Sequence, residues 1–125
     1  MILVDTSVWV DHLRLGDAQL SGMLESGRVV MHPFVVGEIA CGSMTKRAAV
    51  LALLQDLPHA VVATHEELLA FIERHALHGK RVGYVDVHLL AAVALTGGVS
   101  LWTRDKALRA AAQALGFAYL GNEGH

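Results

Sequence analysis

Met1-Ile2-Leu3-Val4-Asp5-Thr6-Ser7-Val8-Trp9 opens the chain and decides its fold class. Met1–Val4 is short and fully apolar, and reads as a buried strand that stops at Asp5. Thr6 and Ser7 then offer N-caps for a helix carrying Val8, Trp9, His12, Leu13 and Leu15, which Gly16 closes. An apolar strand passing straight into a helix is the start of an alternating pattern, and the remaining sequence continues it.

Further strands are expected at Arg28–Met31, Ala60–Ala63, Val99–Trp102 and Phe117–Leu120. Helices fill the intervals. Asp17 caps one that ends at Gly27. Pro33 suits the first turn of another, running to Gly42. Thr45 caps a helix through Ala48–Leu57, stopped by Pro58. Thr64-His65-Glu66-Glu67 is an acidic, capped start for a helix bearing Leu68, Phe71, Ile72 and Leu77. Tyr84–Thr96 is helical and almost wholly apolar after Asp86 and His88, and Arg104–Leu115 forms the last helix. Short apolar strands alternating with helices predict an α/β fold, with a mostly parallel sheet of about five strands covered on both faces.

The composition of the 125 residues narrows the function. The apolar set reaches 54% before 12 glycines are counted, and charged residues make up 18%. Soluble domains average about 45–50% apolar with glycine included and about 25% charged. Disorder is excluded, and some apolar surface is expected to be covered by a partner or a second copy. The single cysteine, Cys41, excludes an internal disulfide and a Cys-based zinc site, which suits a reducing, cytoplasmic setting. A net charge of -2 argues against nucleic-acid binding by bulk positive charge, but not against a local nucleic-acid site. No apolar run approaches the roughly 18 residues that span a bilayer. The N-terminus has no basic flank, so no signal peptide is expected.

Parallel sheets place their chemistry at the carboxyl ends of the strands. Asp5 follows the first strand directly, and Asp105 closely follows the strand at Val99–Trp102. Glu38 sits in the otherwise apolar Phe34-Val35-Val36-Gly37-Glu38-Ile39-Ala40, about two helical turns after the second strand. Asp86 lies near the start of the most apolar helix. All four occupy segments expected to be buried or half-buried, unlike the other eight acids. Each alone has a plain structural explanation: a helix N-cap, a first-turn acid, a carboxylate paired with an arginine. Together they would repel. One like-charged pair at about 4 Å and an effective dielectric near 20 costs about 4 kcal/mol. Protons or cations must offset that. An all-oxygen donor set suits Mg²⁺ or Mn²⁺, and such ions serve in-line hydrolysis of phosphodiesters.

Alternatives remain from the residues alone. An inactive partner-binding module is disfavoured because all four acids are present. An aspartyl-phosphate phosphatase would want an acid two residues after Asp5, where Ser7 stands, and a receiver would want one after the second strand, where Met31-His32 stands. Arg14, Lys46, Arg47, Lys80, Arg81, Arg104 and Lys106 are candidate cations for phosphate, with Lys80-Arg81 in an exposed loop before Asp86. His88 lies about 200° round the helix from Asp86 and reads as a buried, hydrogen-bonded histidine.

The opening Met1–Trp9, Glu38 in its apolar helix, Tyr84-Val85-Asp86-Val87-His88, and Leu101-Trp102-Thr103-Arg104-Asp105-Lys106 resemble the PIN domain, specifically the VapC toxins of VapBC toxin–antitoxin pairs. The resemblance covers essentially the whole chain, as one PIN domain over residues 1–125, with a three-layer sandwich fold. It implies a Mg²⁺- or Mn²⁺-dependent endoribonuclease. Asp5, Asp86 and Asp105 match the metal ligands. Glu38 matches the acid that orients water or a second ion. Thr6, Ser7 and Thr103 match hydroxyl positions that hold a carboxylate or a phosphate. It further implies RNA as substrate, a toxin dimer, and a VapB-type antitoxin lying across the toxin. Trp9, Leu13, Leu20 and Leu24 are the candidate antitoxin contacts.

Overall fold

A computed structural model of the chain describes residues 1–121. Three short strands form its parallel sheet: β1 (Ile2–Val4), β2 (Val29–Val30) and β3 (Ser100–Trp102), in the order β2-β1-β3. Seven helices surround it: α1 (Thr6–Leu15), α2 (Ala18–Glu25), α3 (Pro33–Ala40), α4 (Arg47–Asp56), α5 (His65–Arg74), α6 (Tyr84–Thr96) and α7 (Lys106–Ala114). The architecture is the expected α/β sandwich with fewer strands. The strand expected at Ala60–Ala63 does not form, the preceding His59 making a single parallel bridge to Met31, and the one expected at Phe117–Leu120 reduces to the single parallel bridge Leu101↔Ala118. Each bridge is held by two backbone bonds, such as Ala60 N–H to the Met31 carbonyl at 2.8 Å and Tyr119 N–H to the Leu101 carbonyl at 2.8 Å. Both segments close the sheet edges, where one pairing side suffices, so neither extends into a regular strand.

Ile2, Leu3 and Val4 are all buried, so both sheet faces are covered. That is why the strands read as continuous apolar runs rather than as alternation. Helix α6 is buried continuously from Val87 to Val93, which explains its lack of a polar face. Trp9, Leu20, Met31, Leu68, Leu90 and Trp102 lie among the fully buried core.

Several helix starts differ from the sequence expectation. Asp5, not Thr6 or Ser7, is the N-cap of α1, and its carboxylate accepts from the Ser7 N–H. Asp105 caps α7, which therefore begins at Lys106 rather than Arg104. His32 caps α3, its Nδ1 accepting from Phe34 N–H at 3.0 Å. Thr45 does not cap α4. Lys46 precedes that helix with φ 53°, a left-handed conformation that strains a side-chain-bearing residue, and supplies no side-chain cap. Thr64 and Glu67 do form the expected capping box on α5.

Candidate active site

The strand register builds the site. Val4 pairs with Trp102, so the next residues, Asp5 and Thr103, emerge side by side at the carboxyl end of the sheet. The Asp5 N–H donates to the Trp102 carbonyl at 2.9 Å, locking the two strand ends together.

Asp5 is buried, and its Oδ2 collects three donors: the Ser7 hydroxyl at 2.7 Å, the Thr103 hydroxyl at 2.8 Å and the Ser7 N–H at 3.3 Å. Both hydroxyls are oriented in turn by backbone amides. Arg104 N–H donates to Ser7 Oγ at 3.0 Å, and Asp105 N–H to Thr103 Oγ1 at 3.1 Å. Each hydroxyl accepts from an amide and gives its proton to Asp5. Ser7 and Thr103 thus hold the Asp5 carboxylate, and Thr103 is itself buried.

The other three acids arrive from separate helices. Asp86, in the first turn of α6, reaches back so that Oδ2 accepts from the Gly83 N–H at 3.1 Å. Glu38, on α3, takes the Thr6 hydroxyl on Oε1 at 2.6 Å. Asp105 takes the Leu108 N–H on Oδ1 at 2.9 Å. Asp86 is half-buried, whereas Glu38 and Asp105 are exposed, contrary to the burial expected for them. Among the described residues each of the four carboxylates has one oxygen in a hydrogen bond and one without.

They share one field. Burial pushes the Asp86 carboxyl above its ordinary value. The Gly83 N–H opposes that shift, and the neighbouring charges of Asp5, Asp105 and Glu38 reinforce it. The four acids expected from sequence are therefore electrostatic neighbours, gathered from four parts of the chain. As the side chains stand, no three His, Cys, Asp or Glu among the described residues form a finished cage for a metal ion. The donor chemistry nonetheless fits a hard divalent cation: every donor is a carboxylate with a spare oxygen, and the half-buried member resists ionisation.

Arg104 is engaged by two acids outside the cluster. Its guanidinium bridges Asp11 at 2.6 Å and Asp17 at 2.7 Å, and lies 5.7 Å from the centre of the Trp102 ring. Partial burial raises the Asp17 carboxyl, but the Leu20 N–H and Arg104 outweigh that and hold it below its ordinary value. Asp11 and Asp17 were not singled out from sequence. They lie 93 and 87 residues from Arg104, and no local pattern links them to it.

Lys80 and Arg81 stand exposed in the loop before α6, Arg81 with φ 64°. Neither bonds to an acid among the described residues. His88 is buried as expected, but neither ring nitrogen finds a hydrogen-bond partner among the described residues. It packs instead on the rings of Phe34, Tyr84 and His32. Among the candidate partner contacts, Leu20 is fully buried core and offers no surface. Trp9, almost fully buried, lines with His12, Leu13 and Leu24 a largely apolar groove of about 370 Å³, whose other side is Val50, Leu53, Leu54 and Leu57 of the α4 region.

Residues 2–114 match the family model described as PIN domain. Two relatives, from Mycobacterium tuberculosis strains CDC 1551 / Oshkosh and ATCC 25618 / H37Rv, are each named Ribonuclease VapC32. Each is 49% identical over 118 residues, spanning 94% of this chain and 95% of the relative.

Proposed function

The chain belongs to the PIN-domain family, among its VapC ribonucleases, and from that premise we propose that it is a divalent-cation-dependent endoribonuclease acting as the toxin of a VapBC pair. The observation that carries this reading is the shared field at Asp86, where burial and three further carboxylates favour a neutralising cation. Asp5, Asp86 and Asp105 would hold the ion, Mg²⁺ or Mn²⁺, through the oxygens their helix-terminal bonds leave open. When bound, the ion supplies positive charge to the scissile phosphodiester and acidifies the attacking water.

The chain's own residues supply position. Ser7 and Thr103 fix the Asp5 carboxylate from two strand ends. Thr6 fixes one Glu38 oxygen, and the other faces the reaction as an acceptor that orients the attacking water. Lys80 and Arg81 contact phosphates of the RNA from their exposed loop. Arg104, paired with Asp11 and Asp17, leaves the strand-end acids for the divalent ion to neutralise.

The apolar groove lined by Trp9, Leu13 and Leu24 takes the apolar face of a VapB-type antitoxin, which accounts for part of the apolar excess. We further propose that residues 1–125 form one PIN domain, that the toxin pairs as a homodimer within the toxin–antitoxin complex, and that it works in the cytoplasm. Among the described residues no helix is long and apolar enough to cross a membrane.

The test is cleavage mapping on cellular RNA with Mg²⁺, with Mn²⁺ and with chelator, comparing the chain with its Asp86→Ala variant. Site-specific cuts that need a divalent ion and vanish in Asp86→Ala support the reading. Cuts that survive chelation or the substitution overturn it.

A further inference from the structure

A second cavity, of about 440 Å³, opens between α1, α3 and the loop that joins α3 to α4. Glu38 forms part of its wall, so the cavity borders one member of the acid cluster. Val10, Leu13 and Met44 give it an apolar side, and Arg14 brings a guanidinium. Val10 is 41% exposed and Leu13 36%, so this apolar side faces water in the isolated chain. Arg14 is exposed and makes no ion pair among the described residues, in contrast to Arg104.

We propose that this cavity is a nucleotide subsite for single-stranded RNA, resting on the nuclease reading above. It takes the base of one nucleotide flanking the scissile bond, with Arg14 on the adjoining phosphate. The chemistry matches on both counts. A flipped base packs its faces against apolar side chains, and phosphates seek a guanidinium. The groove at Trp9 and Leu24 has no Lys or Arg in its lining and suits an apolar protein segment. The cavity at Glu38 sets a guanidinium and an apolar side beside one carboxylate of the cluster, and suits a polyanion passing that carboxylate.

Steady-state cleavage of a single-stranded oligoribonucleotide carrying the mapped cut site tests this. Arg14→Ala and Val10→Glu alter exposed positions of α1, and thermal melts of both variants check that they fold. Each is expected to raise KM by about tenfold with kcat within about twofold of the parent, and Arg14→Lys to recover part of the loss. An abasic scan across the cut site should show one flanking position where loss of the base raises KM in the parent but not in Val10→Glu. Unmoved KM values, with cleavage still abolished by Asp86→Asn, overturn the subsite alone. So does a loss confined to antitoxin affinity, which would assign the cavity to a protein partner. Absence of cleavage by the parent, or cleavage unaltered in Asp86→Asn, overturns the nuclease reading and the subsite with it.

Discussion

The two walls of the acid cluster are built differently. On the β1–β3 wall, Asp5 is buried and takes three donors from two strand ends, while Arg104 pins the same turn to α1 and α2. On the α3 wall, Glu38 is exposed, holds a single hydrogen bond from Thr6 and borders an open cavity. A hydrogen-bonded buried carboxylate is costly to disturb, whereas an exposed one exchanges its partners for water at little cost. One wall therefore fixes the geometry of the site, and the other is free to adapt to what enters.

The largest expected effect separates the walls directly. Asp5→Ala removes the α1 cap and leaves the buried Thr103 hydroxyl without its acceptor. It should cost about 2–3 kcal/mol in urea denaturation. Glu38→Ala should cost less than about 0.5 kcal/mol. Equal losses would end the distinction. Both variants should lose RNA cleavage.

Arg104→Ala comes next. Its two ion pairs are partly exposed and screened, so a loss of about 1 kcal/mol is expected, shrinking as salt is raised. A loss that ignores salt would mean that packing against Trp102, rather than charge, holds the turn.

Asp86 stands between the walls and tests them by pH. Its folded-state pKa lies above the ordinary 3.8, so the folded chain binds more protons than the unfolded chain in the interval between the two. Stability without metal should fall as pH rises from 3.8 through the folded pKa, and that loss persists at neutral pH. Asp86→Asn should raise the thermal midpoint at neutral pH, with the gain vanishing toward about pH 4. Mg²⁺ should stabilise the parent and not the variant. A destabilised Asp86→Asn would contradict the shared field.

At neutral pH the smallest effect concerns His32, whose pKa is pushed down to about 4 by burial and by the nearby His88 and His59. A depressed folded pKa means stability present above 6.5 and lost as pH falls toward 4. Protonation also removes the Nδ1 lone pair that caps α3. His32→Asn, which retains a capping oxygen, should flatten this acid-side loss in pH-dependent melts.

Asp5, Glu38, Asp86 and Asp105 stood out only as a set, since each alone has an ordinary explanation such as the N-caps that Asp5 and Asp105 supply. The helices were legible from spacing and from caps such as Thr64 with Glu67. The two outer strands were overread. Apolar stretches at Ala60–Ala63 and Phe117–Leu120 have strand composition, but the chain meets the sheet there through one bridge each, at His59 and at Ala118. The expected hydrogen bond of His88 was also wrong, because burial is visible in an apolar helix and the identity of the neighbours is not.

The order of strands and helices, and the residues able to bear chemistry, follow from the chain alone, because periodicity and capping act between residues a few positions apart. Which oxygen of Asp5 is occupied, why Arg104 is bound to Asp11 and Asp17, and which face opens a cavity beside Glu38 were decided only in three dimensions. Those contacts join residues 87 to 98 positions apart in the cases of Arg104 and Thr103. Pairing over such separations is set by strand register and packing, and leaves no local trace in the residues that make it.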